Sequence, residues 1–410
     1  MSTRRHFIRQ AGSLTAIAIL PDSRWWRPFK AAKAVKIAIV GMGRQGRAIA
    51  TELLKIENVE LTALCEIIPD RLQANLTRFP GTQGFTSLKE LLTERPEITA
   101  VCIATPTHRH REPLELALAA GKHIYLEAPI GHTPEECRAL VDAVTRMGSE
   151  VIVATGFPAR SNPLYQRART LARTDSLRQL ITVTAQSRRK SSWRFPVAGG
   201  SDRDANWRLD PAVSTGLAGE LGSIQIDTAA WYRGRYPRRI TGFGKVLVHR
   251  DGREVADTAT AVLEWDDAVV MSWDATLGSS FGGQMETFVG VNAAIRLSET
   301  HGWLFKEADA PTQGWEVYAT RQQFHTDEGI VLVADATKLA EQGRLKEGGG
   351  LPYSPLYYTL ADFIRRQEGD SGAGTDIFDG ARSSIAGILA NRAIVTGQPV
   401  AISADPLEAD

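Results

Sequence analysis

Val35-Lys36-Ile37-Ala38-Ile39-Val40-Gly41-Met42-Gly43-Arg44-Gln45-Gly46 sets a short β-rich run directly against three glycines in the spacing G-x-G-x-x-G. Residues 46–56 read as a helix, so strand, turn and helix stand in the order this fingerprint requires. Gly41 permits the tight turn, Gly43 lets backbone approach a pyrophosphate, and Gly46 allows the helix to pack closely on the strand. Met42, Arg44 and Gln45 fill the turn, where amides at the helix start and its partial positive charge attract phosphate. Glu66 closes the next apolar run, Leu61–Cys65, where a carboxylate accepts ribose hydroxyls and repels a 2'-phosphate; this predicts NAD over NADP. Arg71 is placed either to stack on adenine or to stand solvated on a helix.

Outward from this motif, strands are expected at Ala100–Ala104, His123–Leu126 and Val151–Ala154. A helix is expected from Thr133-Pro134-Glu135-Glu136, which supplies a cap, a first-turn proline and a glutamate three on, to about Met147. Alternating strands and helices imply a parallel sheet covered on both faces. After Gly156 the pattern changes. Leu180–Ala185, Arg239–Leu247, Ala259–Trp265 and Ala268–Trp273 read as strands joined by turns, which predicts a mostly antiparallel sheet with one open side. Six of the nine tryptophans lie between 193 and 303, so this second sheet has aromatic surface to bury in its core, in a pocket or against another subunit. Leu356–Gln367 and Gly380–Thr396 read as helices able to return to the first domain. The expected class is an α/β Rossmann domain at 35–155, then an α+β domain with an open, mostly antiparallel sheet at 156–410.

The first 34 residues read differently. Thr3-Arg4-Arg5-His6-Phe7-Ile8-Arg9 followed by the apolar run Ala11–Leu20 resembles a twin-arginine export signal, and the run is too short to span a bilayer as a helix. That route carries folded proteins, so a nucleotide bound in the cytoplasm can arrive in the periplasm. Ala32-Lys33-Ala34 abuts the first strand, so the segment is expected either to be cut there or to stay as a tether. A net charge of +1 offers no field for nucleic acid. Cys65, Cys102 and Cys137 have no metal-site spacing and supply no disulfide framework.

With the glycine fingerprint, Ala104-Thr105-Pro106-Thr107-His108-Arg109-His110, Glu127-Ala128-Pro129 and Gly219–Asp227 on the page, the chain resembles the glucose-fructose oxidoreductase, inositol dehydrogenase and rhizopine-catabolism (Gfo/Idh/MocA) family from Val35 onward. Asn206-Trp207-Arg208-Leu209 and Asp251–Val255 resemble a branch rich in exported members. The resemblance implies a Rossmann domain with an open-sheet domain, dimers or tetramers built on that sheet, and action on sugars, sugar acids or cyclitols. It further implies that Thr105, Pro106, His110 and Glu127 contact the cofactor, with Glu127 by the nicotinamide ribose.

Two departures affect the chemistry. Ala128 stands where many members carry lysine, and Ile224, in Glu220-Leu221-Gly222-Ser223-Ile224-Gln225-Ile226-Asp227, stands where many carry histidine. Oxidation of a secondary alcohol needs a proton acceptor, whose loss typically costs about a hundredfold or more. Asp227 and His110 are the candidate acceptors that retain family positions, with Tyr165 as a further one, while Arg160, Trp207, Arg208 and Gln225 are candidate substrate ligands. The expected activity is NAD-dependent oxidation of a sugar, sugar derivative or cyclitol with tightly held cofactor. Redox-assisted glycoside cleavage and silent nucleotide and sugar binding are the alternatives.

Overall fold

The computed structural model describes residues 34–148, 150–174, 176–197, 202–314, 316, 319, 321–324, 327–332 and 350–408. The twin-arginine segment lies outside the described residues, except for its last position, Ala34. The apolar run Val35–Val40 forms β1, followed by α1 (Arg44–Leu53), β2 (Val59–Cys65), α2 (Pro69–Arg78), β3 (Gln83–Phe85), α3 (Leu88–Glu94), β4 (Ala100–Ile103), α4 (Arg111–Ala119), β5 (His123–Leu126), α5 (Pro134–Met147) and β6 (Val153–Thr155). The six strands pair in the order β3-β2-β1-β4-β5-β6, parallel throughout, which makes the glycine turn after β1 the switch point where a ligand crevice opens. Thr133 accepts from the Glu136 amide at 3.1 Å, and Gly148 at φ +77° ends α5.

The second domain follows with α6 (Pro163–Ala172), β7 (Leu180–Arg188), α7 (Asp202–Asn206) and α8 (Ser223–Arg233). The sheet continues through β8 (Arg239–Lys245), β9 (Thr258–Glu264), β10 (Val270–Thr276), β11 (Gln284–Gly290), β12 (Ala293–Ser298), β13 (His301–Lys306), β14 (Arg321–Phe324) and β15 (Asp327–Val331). The helices α9 (Pro355–Gln367) and α10 (Ile377–Thr396) and the short β16 (Val400–Ala401) complete it. Ten strands pair as β14-β15-β13-β12-β11-β7-β10-β9-β8-β16, antiparallel except where β7 meets β10. Inward residues such as Val183, Ala185, Met271 and Trp273 are buried, and outward ones such as Thr184, Thr260 and Ser272 are exposed, the period-two pattern of a sheet with one covered face.

The apolar residues fall into three cores, in which each fully buried leucine or isoleucine contributes about 2 kcal/mol. One face of the Rossmann sheet packs on α3, α4 and α5, and the other on α1, α2 and α9, so α9 closes the nucleotide domain from late in the chain. The long α10 belongs to two cores. Ile377, Ala381 and Ile385 pack in the first domain, whereas Ala386, Ala390, Ala393 and Ile394 pack under the second sheet. All three cysteines are buried and free, and burial pushes the Cys65 thiol up to about 12. Among the described residues no helix is long and apolar enough to cross a membrane, and no cluster of His, Cys, Asp and Glu could hold a metal ion.

Candidate active site between the two domains

A cleft of about 1320 Å³ runs from the ends of β1 and β2 in the Rossmann domain to the inner wall of the second domain. Gly41, Gly43, Arg44, Gln45, Glu66, Arg71, Thr105, Pro106, His110 and Glu127 line its first half. The glycines divide their work. Gly41 has φ +88°, and a Cβ there would stand 2.6 Å from the Ala104 carbonyl oxygen. At Gly46 a Cβ would lie 1.9 Å from the Gly41 carbonyl oxygen, while at Gly43 it would meet nothing within 4 Å, so Gly43 faces open cleft. That open cradle at the start of α1, with a buried carboxylate at the end of β2, fits a dinucleotide pyrophosphate and ribose.

Met42 and Gly46 differ from the sequence expectation in how they serve this end. Neither lines the cleft: the Met42 side chain is buried in the core and its amide donates to Glu66 Oε2 at 3.0 Å, and Gly46 acts through helix packing. Glu66 also accepts from the Ile68 amide at 3.1 Å and from Arg71 Nη1 at 3.4 Å. Arg71 is therefore paired at the ribose end of the cleft. Arg47 lies on the same side, and burial, followed by repulsion from Arg78 and Arg71, pushes its guanidinium down.

Glu127, released from β5, puts Oε1 within 2.9 Å of Gln45 Nε2 and 3.1 Å of the Tyr125 hydroxyl. Its Oε2 lies over Gly156, where a Cβ would approach it to 2.9 Å, so only glycine leaves this oxygen its room. Burial pushes the Glu127 carboxyl above the usual carboxylate range, although Gln45 and Tyr125 pull the other way. Ala128 and Ile224 both line the cleft and pack against the same Rossmann core, where they form an apolar stretch of its wall.

His110 lines the cleft, but both its ring nitrogens are committed, Nδ1 to the Ile130 carbonyl and Nε2 to the Thr105 carbonyl, each at 3.0 Å. Burial pushes this imidazole down against those two bonds. In the neutral form that burial favours, only one of these nitrogens donates, and the other is turned to a carbonyl oxygen instead of the cleft; this placement between the Thr105 loop and the segment after β5 corrects its expected role as proton acceptor.

Asp227 is corrected more sharply. It is fully buried and does not line the cleft; its Oδ1 accepts from Arg160 Nη2 at 3.0 Å and Ser383 Oγ at 2.8 Å. Arg160, expected among the substrate ligands, also turns away from the cleft and bridges Asp227 to Asp379. Burial alone would push the Arg160 guanidinium down, but the two carboxylates hold it above its ordinary value. Gln225 is likewise structural. Its Nε2 donates to Glu286 Oε1 at 2.7 Å and to the Gln186 carbonyl at 2.9 Å, and its Oε1 accepts from Trp273 Nε1 at 2.8 Å. These residues lock α8 against α10 and the sheet.

Trp207 and Arg208 do line the second half of the cleft, with Arg189, Trp193, Phe195, Glu220 and Tyr165. Glu220 was legible only as part of the motif that carries Ile224. It reaches the cleft because Ala218–Gly222 forms a single π-helical turn before α8, a distortion frequent at functional sites. Its Oε2 accepts from Arg208 Nε at 2.7 Å and its Oε1 from the Thr215 hydroxyl at 2.8 Å. The Tyr165 hydroxyl donates to buried Glu286 Oε2 at 2.6 Å, and burial, followed by Glu286, pushes the phenol well above its ordinary value. An ion pair between Arg109 and Asp204, 2.7 Å, closes the cleft rim across the domains.

Comparison with known proteins places this geometry. The family described as an oxidoreductase family with NAD-binding Rossmann fold, GFO/IDH/MocA, matches residues 35–155, and the GFO/IDH/MocA C-terminal domain matches 165–296. The scyllo-inositol 2-dehydrogenase (NADP(+)) of Bacillus subtilis is 26% identical over 56% of this chain and 60% of its own. The alpha-N-acetylgalactosaminidase of Shewanella oneidensis is 28% identical over 35% of this chain and 37% of its own. The chain thus spans less than two thirds of the length of these curated relatives. A levoglucosan dehydrogenase solved with NADH and levoglucosan superposes with TM-score 0.70 at 18% identity, covering 90% of this chain and 99% of that one, which shows the shared fold.

Proposed function

Since the chain belongs to the Gfo/Idh/MocA oxidoreductase family, we propose that it is an NAD-dependent oxidoreductase acting on a sugar, sugar derivative or cyclitol, exported to the periplasm with its cofactor held through the cycle. The observation that carries this reading is the single cleft joining the open Gly43 cradle to the Trp207, Arg208 and Glu220 wall. When bound there, the dinucleotide supplies hydride acceptance, and the protein supplies binding, orientation and proton transfer. Support for NAD over NADP comes from Glu66, a buried carboxylate lining the cleft that would repel a 2'-phosphate.

With Asp227 and His110 withdrawn, the acceptor is assigned to Glu127. Glu220 is tied to Arg208 and Thr215, and Tyr165 donates its own proton to Glu286. Glu127 Oε2 takes the hydroxyl proton, while Gln45 and Tyr125 fix the carboxylate through Oε1. With alanine at position 128 no ammonium stands there, and burial raises this carboxyl although the Arg208 charge pulls the other way.

Redox-assisted glycoside cleavage is the second reading, favoured by the glycosidase among the relatives. Ultraviolet absorbance of protein purified from its own compartment, before and after adding sugars and cyclitols, tests both. Accumulation of reduced nicotinamide with one compound supports the dehydrogenase; release of an aglycone with no net change supports the lyase-like route. Cofactor that never responds, together with no release of an aglycone, refutes both. Twin-arginine export is tested by replacing Arg4 and Arg5 with lysine and following the protein's compartment. A dimer or tetramer built on the open sheet is tested by sedimentation.

A further inference from the structure

Three arginines from separate parts of the chain line the cleft together: Arg44 in the first turn of α1, Arg189 just beyond β7, and Arg208 in the turn after α7. Arg208 is the best fixed. Its Nε is held by Glu220, and its guanidinium lies 4.3 Å from the Trp207 ring centre and 5.8 Å from that of Trp193. This grip engages Nε and leaves the two Nη groups without a protein acceptor among the described residues. Arg44 and Arg189 make no ion pair among the described residues. Burial, then the charges of Arg189 and Arg208, push the Arg44 guanidinium down, as expected of like charges lining one cleft.

The cofactor accounts for only part of this cluster. Arg44 stands at the open Gly43 cradle, where a pyrophosphate would meet it. Arg208 belongs to the reacting half: it lines the same cleft as Glu127 and is held there by Glu220 and by the Trp207 and Trp193 rings. Glu220 offsets the charge of Arg208 and Asp204 that of Arg109, so the cationic excess rests on Arg44 and Arg189, while Arg208 contributes its two Nη donors.

We propose that Arg208, assisted by Arg189, forms a carboxylate subsite, and that the substrate is therefore an acidic sugar such as an aldonate or uronate rather than a neutral sugar or cyclitol. This rests on the oxidoreductase reading for placing substrate beside Glu127. A planar carboxylate matches the two Nη groups of a guanidinium already stacked on tryptophan, so little side-chain freedom is lost on binding. The tryptophans beside it offer apolar faces to the sugar ring.

The test is binding to the NAD-saturated protein, followed by tryptophan fluorescence and calorimetry, with sodium gluconate and sodium glucuronate compared with glucose and myo-inositol. At least one acid should bind about tenfold more tightly than either neutral compound, the size expected of a charge-assisted pair. Arg208→Gln should abolish that preference, and Arg208→Lys, which keeps charge but loses the fork, should weaken it; Arg189→Gln should reduce it and serves where the Arg208 variants fail to fold. Equal binding of neutral compounds, no binding of either acid, or an unchanged ratio in the arginine variants overturns the subsite. Displacement of NAD by the acids also overturns it, because the cluster would then belong to the cofactor's pyrophosphate. The two readings fail separately. Acids that bind through these arginines but never reduce cofactor refute the redox function alone, and a neutral compound that reduces cofactor while no acid binds refutes the subsite alone.

Discussion

Asp227→Asn separates a structural aspartate from a catalytic one. In the native protein Asp227 is fully buried, and its Oδ1 receives Arg160 and Ser383. Asparagine keeps the volume but removes the charge that Arg160 faces, and Arg160 itself is only 13% exposed, so water can do little to compensate. Removing one partner of a buried ion pair costs about 3–5 kcal/mol. Asp379, 31% exposed, remains as a second partner for Arg160, which places the expected loss at the lower end, about 3 kcal/mol. For a domain of this size that corresponds to a fall of roughly 6–12 °C in Tm. The assay pairs thermal unfolding by circular dichroism with turnover measured well below the variant's Tm. The expected result is a lowered Tm with turnover per folded molecule largely kept. A variant with unchanged Tm and turnover reduced a hundredfold or more would refute the structural assignment and restore Asp227 as acceptor.

Gly46→Ala should destabilise the nucleotide domain by roughly 1–3 kcal/mol, because its Cβ would sit 1.9 Å from a backbone oxygen; equilibrium urea unfolding measures this. Gly43→Ala, by contrast, should unfold at the same urea concentration as the native ligand-free protein yet bind NAD more weakly, since its Cβ meets only the open cleft. Asp257 accepts from the Leu247, Val248 and His249 amides; burial alone would raise its carboxyl, but these donors hold it below the usual range. Its stabilisation is then complete above the unfolded carboxylate pKa and lost as pH falls through the folded one. Asp257→Asn should be less stable at neutral pH by about 1–3 kcal/mol, with the gap closing in acid. Glu127 has the opposite sign. Its raised carboxyl costs stability as pH climbs from the unfolded value to the folded one, so ligand-free Glu127→Gln should be the more stable protein at neutral pH and lose turnover, and the difference in stability should vanish in acid.

The nucleotide half of the site could be read from residues in sequence because its chemistry is local. Gly41, Gly43 and Gly46 act through the backbone of one turn, and Glu66 ends the neighbouring strand, so spacing along the chain reports position in space. The strands around them were legible for the same reason, although β3, only Gln83–Phe85, is too short to leave a periodic signal. The substrate half is built from contacts across long separations. Arg160 and Asp227 point to each other and to α10 instead of to the cleft, an orientation set by Ser383 and Asp379, which no local pattern connects to them. Glu220 enters the site through one π-helical turn, which shifts the facing of every residue after it relative to a regular helix.

The helix Ile377–Thr396 has a consequence for modularity. Its first half completes the core under the nucleotide-binding sheet and its second half completes the core under the open sheet, so neither unit contains all of its own interior. The cleft between them is therefore built more like a joint welded by one beam than like a hinge between independent parts. Exchanging the substrate-facing unit for that of another family member would carry away part of the nucleotide domain's interior unless residues 377–396 were refitted on both sides. Substitutions that diversify specificity are less costly at the exposed cleft-lining positions Arg189, Phe195 and Pro196 than in the helix that joins the two cores.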